Sequence, residues 1–152
     1  MRAHWALMML AASVGATACG DRGVVWTESY SFPGEEWSSE NRLAFAPDSA
    51  SIAGAMCHMA EISFRYAADA PLDRFTVVAY TENPASGAYR SDTLQVALLP
   101  VDCRPAEKGK LGIFETSVVL PLEEAPAPEW ELTAYPIGGT IKGLFSITIE
   151  LK

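Results

Sequence analysis

The side chains able to do chemistry in this chain are few, and their spacing argues against catalysis. There are two histidines, His4 and His58. A serine nucleophile activated through imidazole has to use His58, and no Gly-x-Ser-x-Gly elbow surrounds any serine. Cys57 sits beside His58, a fragment of a metal site by residue type. Neighbours on a strand point to opposite faces, however. Zinc also takes three or four convergent ligands, and Cys103 is the one further soft candidate. Glu35-Glu36 and Glu123-Glu124 flank turn signals and read as solvated loop charges. A glycosidase pair needs its carboxylates held ~5–9.5 Å apart across a cleft. The expectation is a protein without catalytic residues, metal or cofactor, and not an enzyme.

Aromatic side chains are the remaining candidates for recognition. Trp26, Trp37 and Trp130, with Tyr30, Tyr66, Tyr80, Tyr89 and Tyr135, can stack on sugar rings where two or three line an exposed sheet face. Aromatics at alternating positions more often supply buried area, and Trp26 and Trp130 are read as core. Trp37 follows the Pro33-Gly34 turn signal and is the candidate contact for a ligand or partner protein.

A different chemistry is written at the N-terminus. Trp5 to Val14 is an apolar run too short for a bilayer core, which needs ~20 residues. It follows Arg2 and His4 and leads into Gly15-Ala16-Thr17-Ala18-Cys19. This is the layout of an export signal, and Ala16-Thr17-Ala18-Cys19 resembles a bacterial lipobox. Cys19 is then the first mature residue, acylated at thiol and amine. The organisation expected is a leader over 1–18, an acylated cysteine and tether over 19–23, and one domain over 24–152. Gly20-Asp21-Arg22 lacks the acid-rich run that resembles a surface-export signal, which favours the periplasmic face of the outer membrane.

Charge narrows the partners. The whole chain carries −8, and all nineteen acidic residues lie after Cys19, against ten basic ones, so the mature side chains sum to −9. Such a surface repels nucleic acid. With no polybasic patch, contact with the bilayer rests on the acyl chains. With Cys19 lipidated, Cys57 and Cys103 remain as an even pair in a compartment that permits oxidation. A bridge between them closes a loop of roughly 45 residues, worth on the order of 3–4 kcal/mol. Two buried free thiols are the alternative, since a bridge demands Cα atoms within about 7 Å.

The elements that must position these residues read as strands. Ile62, Phe64 and Tyr66 alternate with Glu61, Ser63 and Arg65. Phe75 to Tyr80 is a continuous apolar run, and Leu94, Val96 and Leu98 alternate up to Pro100. Further strands fall within Val24–Phe32, at Leu43 and Phe45, within Leu111–Leu122, and at Trp130, Leu132 and Ala134. The last is the clearest, with Ile141, Phe145, Ile147, Ile149 and Leu151 facing one way and Lys142, Ser146, Thr148 and Glu150 the other. A period of two held this long excludes a helix. Only Ala50–Ala60 tolerates a short one. About eight strands at this spacing predict an antiparallel β-sandwich, with jelly-roll topology as one arrangement.

Taken in order, these motifs resemble the GldH-type gliding motility lipoproteins. The resemblance begins at Cys19 and continues through Val25-Trp26-Thr27-Glu28-Ser29-Tyr30-Ser31-Phe32-Pro33, Trp37 and Phe45. It goes on through Ile62-Ser63-Phe64-Arg65, Pro71 ahead of Phe75, Asp92-Thr93-Leu94 and Lys110-Leu111-Gly112. It ends with Ile141-Lys142-Gly143-Leu144, Ile147 and Ile149. It implies a non-catalytic cell-envelope component acting with other envelope proteins of a motility assembly linked to type IX secretion. Periodicity and composition alone are equally compatible with a carbohydrate-binding envelope lipoprotein.

Overall fold

Alternation along the chain becomes strands wherever one face can be buried. The computed structural model describes residues 23–104 and 112–152, so Cys19, the expected leader and most of the expected tether lie outside the described residues, as do Lys110 and Leu111. The strands are β1 (Trp26–Ser31), β2 (Glu36–Trp37), β3 (Leu43–Phe45), β4 (Met59–Ala67), β5 (Arg74–Asn83), β6 (Ala88–Ala97), β7 (Ile113–Pro121), β8 (Glu131–Ile137), β9 (Ile141–Lys142) and β10 (Leu144–Leu151). Among the described residues, helix is reduced to α1 (Ser49–Ile52) and a short 3-10 turn over Val101–Cys103, and Asp48 caps the first turn of α1 by accepting from the Ser51 amide. The helix tolerated over Ala50–Ala60 thus stops at Ile52, and by Met59 the chain is already in β4.

Two four-stranded antiparallel sheets form, in the orders β1-β10-β4-β7 and β3-β8-β5-β6, with β2-β9 as a separate two-stranded ribbon. Setting aside that ribbon and counting the other eight strands along the chain, the sheets run 1-8-3-6 and 2-7-4-5. This is the order of a jelly roll, in which two Greek keys wrap into facing sheets. The expected all-β sandwich is the observed fold.

The core lies between the sheets. From one side come Ile62, Phe64 and Tyr66 of β4 with Ile147, Ile149 and Leu151 of β10. From the other come Phe75, Val77 and Ala79 of β5 with Leu132 and Ala134 of β8. Phe64 meets Phe75 edge-to-face at 5.2 Å between ring centroids, which locks the two sheets together. Trp130 is buried as expected, whereas Trp26 is half-buried at the edge of the first sheet.

One facing expectation fails. Alternation places Phe145 in the inner row, yet Leu144 is buried and Phe145 only half so. The register against β4 shifts between Leu144, opposite Tyr66, and Ser146, opposite Arg65. A bulge therefore inserts Phe145 between the two paired residues and exchanges the faces on either side of it.

Candidate binding site

Trp37 is not at the surface. It is fully buried and packs against Phe32 with ring centroids 5.6 Å apart, and its indole N–H donates to the Asn41 carbonyl at 2.8 Å. The turn that suggested exposure instead delivers β2 to β9, where Trp37 pairs with Ile141. As a ligand or partner contact Trp37 is corrected to a core residue.

The cysteines are corrected too. Cys57 and Cys103 are both free, Cys57 buried in the core and Cys103 exposed. Burial raises the Cys57 thiol above its ordinary value. Neither the bridge nor a pair of buried thiols describes them. His58 is exposed beside the start of β4, with its backbone tied to Lys152 and Leu122. Among the described residues, no three His, Cys, Asp or Glu side chains are grouped to hold a metal ion.

Two surfaces do gather recognition chemistry. The first is the outer face of the β3-β8-β5-β6 sheet. In register, Tyr135 lies opposite Val78, and Tyr80 lies between Thr133 and Ser91. Tyr89 is opposite Glu82 and is 75% exposed, its ring 6.4 Å from that of Tyr80. The Arg42 guanidinium sits 4.4 Å over the Tyr135 ring, a cation–π contact on the same face. These are three of the tyrosines singled out in the sequence, on the outer face of one sheet, with Tyr89 exposed and Tyr80 and Tyr135 half-buried.

The second is a cleft at one end of the sandwich, where the β5–β6 hairpin meets the segment after β7. Here Arg90 and Asp92 stand on the same side of β6 as buried Val96, and they pair at 2.7 Å. Arg90 also donates to the Pro121 carbonyl at 3.3 Å and to Glu123 at 3.4 Å. Glu124 accepts from Ser86 at 2.6 Å and from the Asn83 side-chain amide at 3.2 Å. So Glu123 and Glu124 are not simply solvated loop charges. The amide oxygen of Asn83, a residue only 7% exposed, has no donor, and neither has Oδ2 of Asp92. Sequence reasoning gave Asn83 and Arg90 no site role and used Asp92 only within the family resemblance. The signal was available, since Arg90 and Asp92 share the parity of Leu94 and Val96, and charge on an inward row has to be paired.

A third polar cluster is structural. Arg104, its side chain 1% exposed, donates to the carbonyls of Leu99, Ala68, Ala70 and Leu72, with Asp73 at 3.9 Å. It ties the loop after β6 to the turn between β4 and β5.

No family model and no curated protein matches the chain. Among solved structures it is similar to the Eiger TNF structure from S. frugiperda, with 12% identity and a TM-score of 0.34. The alignment covers 63% of this chain and 59% of that one, so the chain spans less than two thirds of that structure's length. Likeness at this level carries no argument about function.

Proposed function

We propose that this chain is a lipid-anchored, non-catalytic binding module of the bacterial cell envelope. It acts within a motility or type IX secretion-linked assembly and holds its partner proteins through the tyrosine face of β3-β8-β5-β6. The observation that carries the binding reading is the grouping of exposed Tyr89 with half-buried Tyr80 and Tyr135 on the outer face of one sheet. Tyrosine offers large amphipathic contact area and is enriched among residues that dominate interface energetics. The assembly itself is supported by the ordered resemblance of the sequence motifs, and the anchor by the lipobox-like segment ending at Cys19. Confinement at a membrane raises local concentration, so a modest interface suffices.

The test is affinity capture of the intact lipoprotein from its native membrane. The comparison is the triple variant Tyr80→Ala, Tyr89→Ala, Tyr135→Ala, with its fold checked by circular dichroism. Capture of envelope proteins that the folded triple variant loses is the expected result; unchanged capture by that variant refutes the face.

A carbohydrate-binding lipoprotein is the second reading, and the same tyrosines favour it. They lie among Thr93, Thr133 and Gln95, polar side chains of the kind that orient sugars. Tight polysaccharide binding by the purified protein, with no envelope protein captured, replaces the first reading by this one.

A further inference from the structure

We infer that the free edge of β7 is an interface between two copies of this chain, in which β7 pairs antiparallel with β7 of a second copy and joins two four-stranded sheets into one.

That edge is open and its backbone groups are unmet. β7 ends the order β1-β10-β4-β7, and among the described residues no strand pairs with its far side. Its register against β4 runs without a bulge, from Pro121 opposite Met59 to Ile113 opposite Ala67. Along such a strand, successive residues send their amide and carbonyl to alternate sides. The Gly112 carbonyl and the Leu122 amide, flanking the strand, both bond on the β4 side, to Ala68 and His58. Even-numbered residues therefore feed the β4 ladder, and Ile113, Glu115, Ser117 and Val119 point their N–H and C=O off the sheet. The Pro121 carbonyl points off it too, towards Arg90. β6 of the facing sheet lies alongside, joined to β7 by the side chains of Thr116 and Arg90 and by no backbone ladder.

The other three sheet edges carry devices that refuse an added strand. β3 is three residues long. β6 holds Arg90 and Asp92 on its inward row, and Glu28 of β1, opposite buried Ile149, stands on the inward row there. β7 has nine residues, and its inward row of Phe114, Thr116, Val118 and Leu120 is uncharged, with the first three only half-buried. On its outward row Ile113 and Val119 are 41% and 51% exposed, and the strand's one charge, Glu115, has Arg65 at 4.0 Å. A long, apolar, unbulged edge of this kind invites another strand.

The strand is also its own complement, which selects a second copy over a foreign strand. Paired about Ser117, it sets Ser117 opposite Ser117 and Glu115 of each copy opposite Val119 of the other. About six backbone bonds then join these residues. The two Glu115 positions are offset by four residues, ~14 Å apart, beyond the ~10 Å screening length of 0.1 M salt. Sliding the copies towards Ile113 brings those carboxylates together, and sliding them towards Pro121 loses donors at the proline. The contact is ~30 Å long and falls below the ~1,200 Å² of stable complexes. The dimer is therefore weak in solution, with a Kd of about 10–100 micromolar. This surface is independent of the tyrosine face, which belongs to the other sheet.

The test is sedimentation equilibrium of the intact protein in density-matched non-ionic detergent, with micelles in excess. A reversible monomer–dimer equilibrium is expected. Ser117→Pro removes an off-sheet N–H, a place where an edge strand accepts proline, and should weaken the dimer at least tenfold. Ser117→Ala keeps that N–H and should stay within about twofold of the parent. Val119→Glu faces Glu115 of the second copy and should weaken the dimer about fivefold, whereas Val119→Lys should strengthen it by a similar factor. Weakening by both Val119 variants overturns the pairing in favour of a general apolar contact. In a Cys103→Ser background, Ser117→Cys should cross-link on mild oxidation, because facing Cα atoms ~5.5 Å apart suit a disulfide. Cross-linking of Ser29→Cys on the β1 edge without that of Ser117→Cys, or a monomer at ~1 mM, overturns the interface. A monomeric parent that captures an envelope protein through β7, lost in folded Ser117→Pro, gives the edge to a foreign strand and overturns the second copy.

Discussion

At the scale of single residues, the buried polar groups decide more than the aromatic ones. Arg104 is the clearest case, a guanidinium with its head group out of water and four backbone carbonyls as partners. A buried charge is tolerated only when its hydrogen bonds are made, and here the partners come from two loops that lack ladder bonds of their own. Arg104→Met keeps the aliphatic volume and strips the donors, leaving four carbonyls without their side-chain partner. It should cost about 3 kcal/mol or more, read as a lower urea midpoint with an unchanged slope. A loss within 0.5 kcal/mol means the loops find water instead and the clamp is unimportant. Trp37 carries the complementary lesson. A tryptophan after a turn reads as exposed from local sequence, but its burial comes from Ile141, more than a hundred positions away.

Among the elements, β10 shows how far alternation can be read and where it stops. The inward rows of β4, β5 and β8 were legible because an unbroken period of two has only two facings, and burial chooses the apolar one. The bulge in β10 was not legible, because Phe145 is as apolar as Leu144 and only the pairing with β4 tells them apart. Gly143 enters that bulge at φ +78°, where an added Cβ meets Ala70 at under 3 Å, a long-range packing fact with no local signature. Leu144→Ala should therefore cost ~2–5 kcal/mol, and Phe145→Ala distinctly less because that ring is only half-buried. The reverse order in thermal unfolding overturns the assigned bulge. The cleft was half legible, in the charges on the inward row of β6; its unpaired oxygens depend on the hairpin meeting the segment after β7.

The open end of β10 also predicts a pH effect. Glu150 lies directly opposite Glu61, a like-charge pair that destabilises a sheet. Lys152 bonds to both, reaching Glu150 at 3.0 Å. Its hydrogen bond, with one from Ser117, lowers the Glu61 carboxyl below its ordinary 4.5, while Lys152 is raised. A lowered carboxyl value stabilises the fold fully above 4.5 and loses that contribution as pH falls through the folded-state value. The raised lysine contributes below its ordinary 10.5 and loses its share as pH rises past the shifted value. Lys152→Met should cost ~0.5–1 kcal/mol at neutral pH, and the difference from the parent should shrink as the medium becomes acidic. A difference in melting temperature that persists unchanged into strong acid excludes the electrostatic account.

For the whole molecule, strand order relates the anchor to the cleft. Trp26, Leu151, Ala60 and Leu120 form one row across the β1-β10-β4-β7 sheet. Three strand spacings of ~4.8 Å put β7 only about 14 Å from β1. Leu120 lines the cleft, so the cleft opens at the end of the sandwich where the chain enters from its N-terminus. Cys19 precedes Trp26 by seven positions, a reach of at most ~25 Å when extended. On the proposed anchoring, an acyl group at Cys19 would keep this end of the sandwich, and the cleft with it, close to the bilayer. The anionic surface cannot hold the domain there by itself, because a chain of net charge −8 is repelled by anionic lipid. Attachment then rests wholly on the lipid, which gives a sharp test. Cys19→Ser should move the protein out of the membrane fraction or leave an uncleaved precursor, and in the released form partner capture should fall with the lost local concentration. If the variant is processed and still partitions into detergent, the lipid is not the anchor, and the placement of the cleft beside the bilayer fails with it.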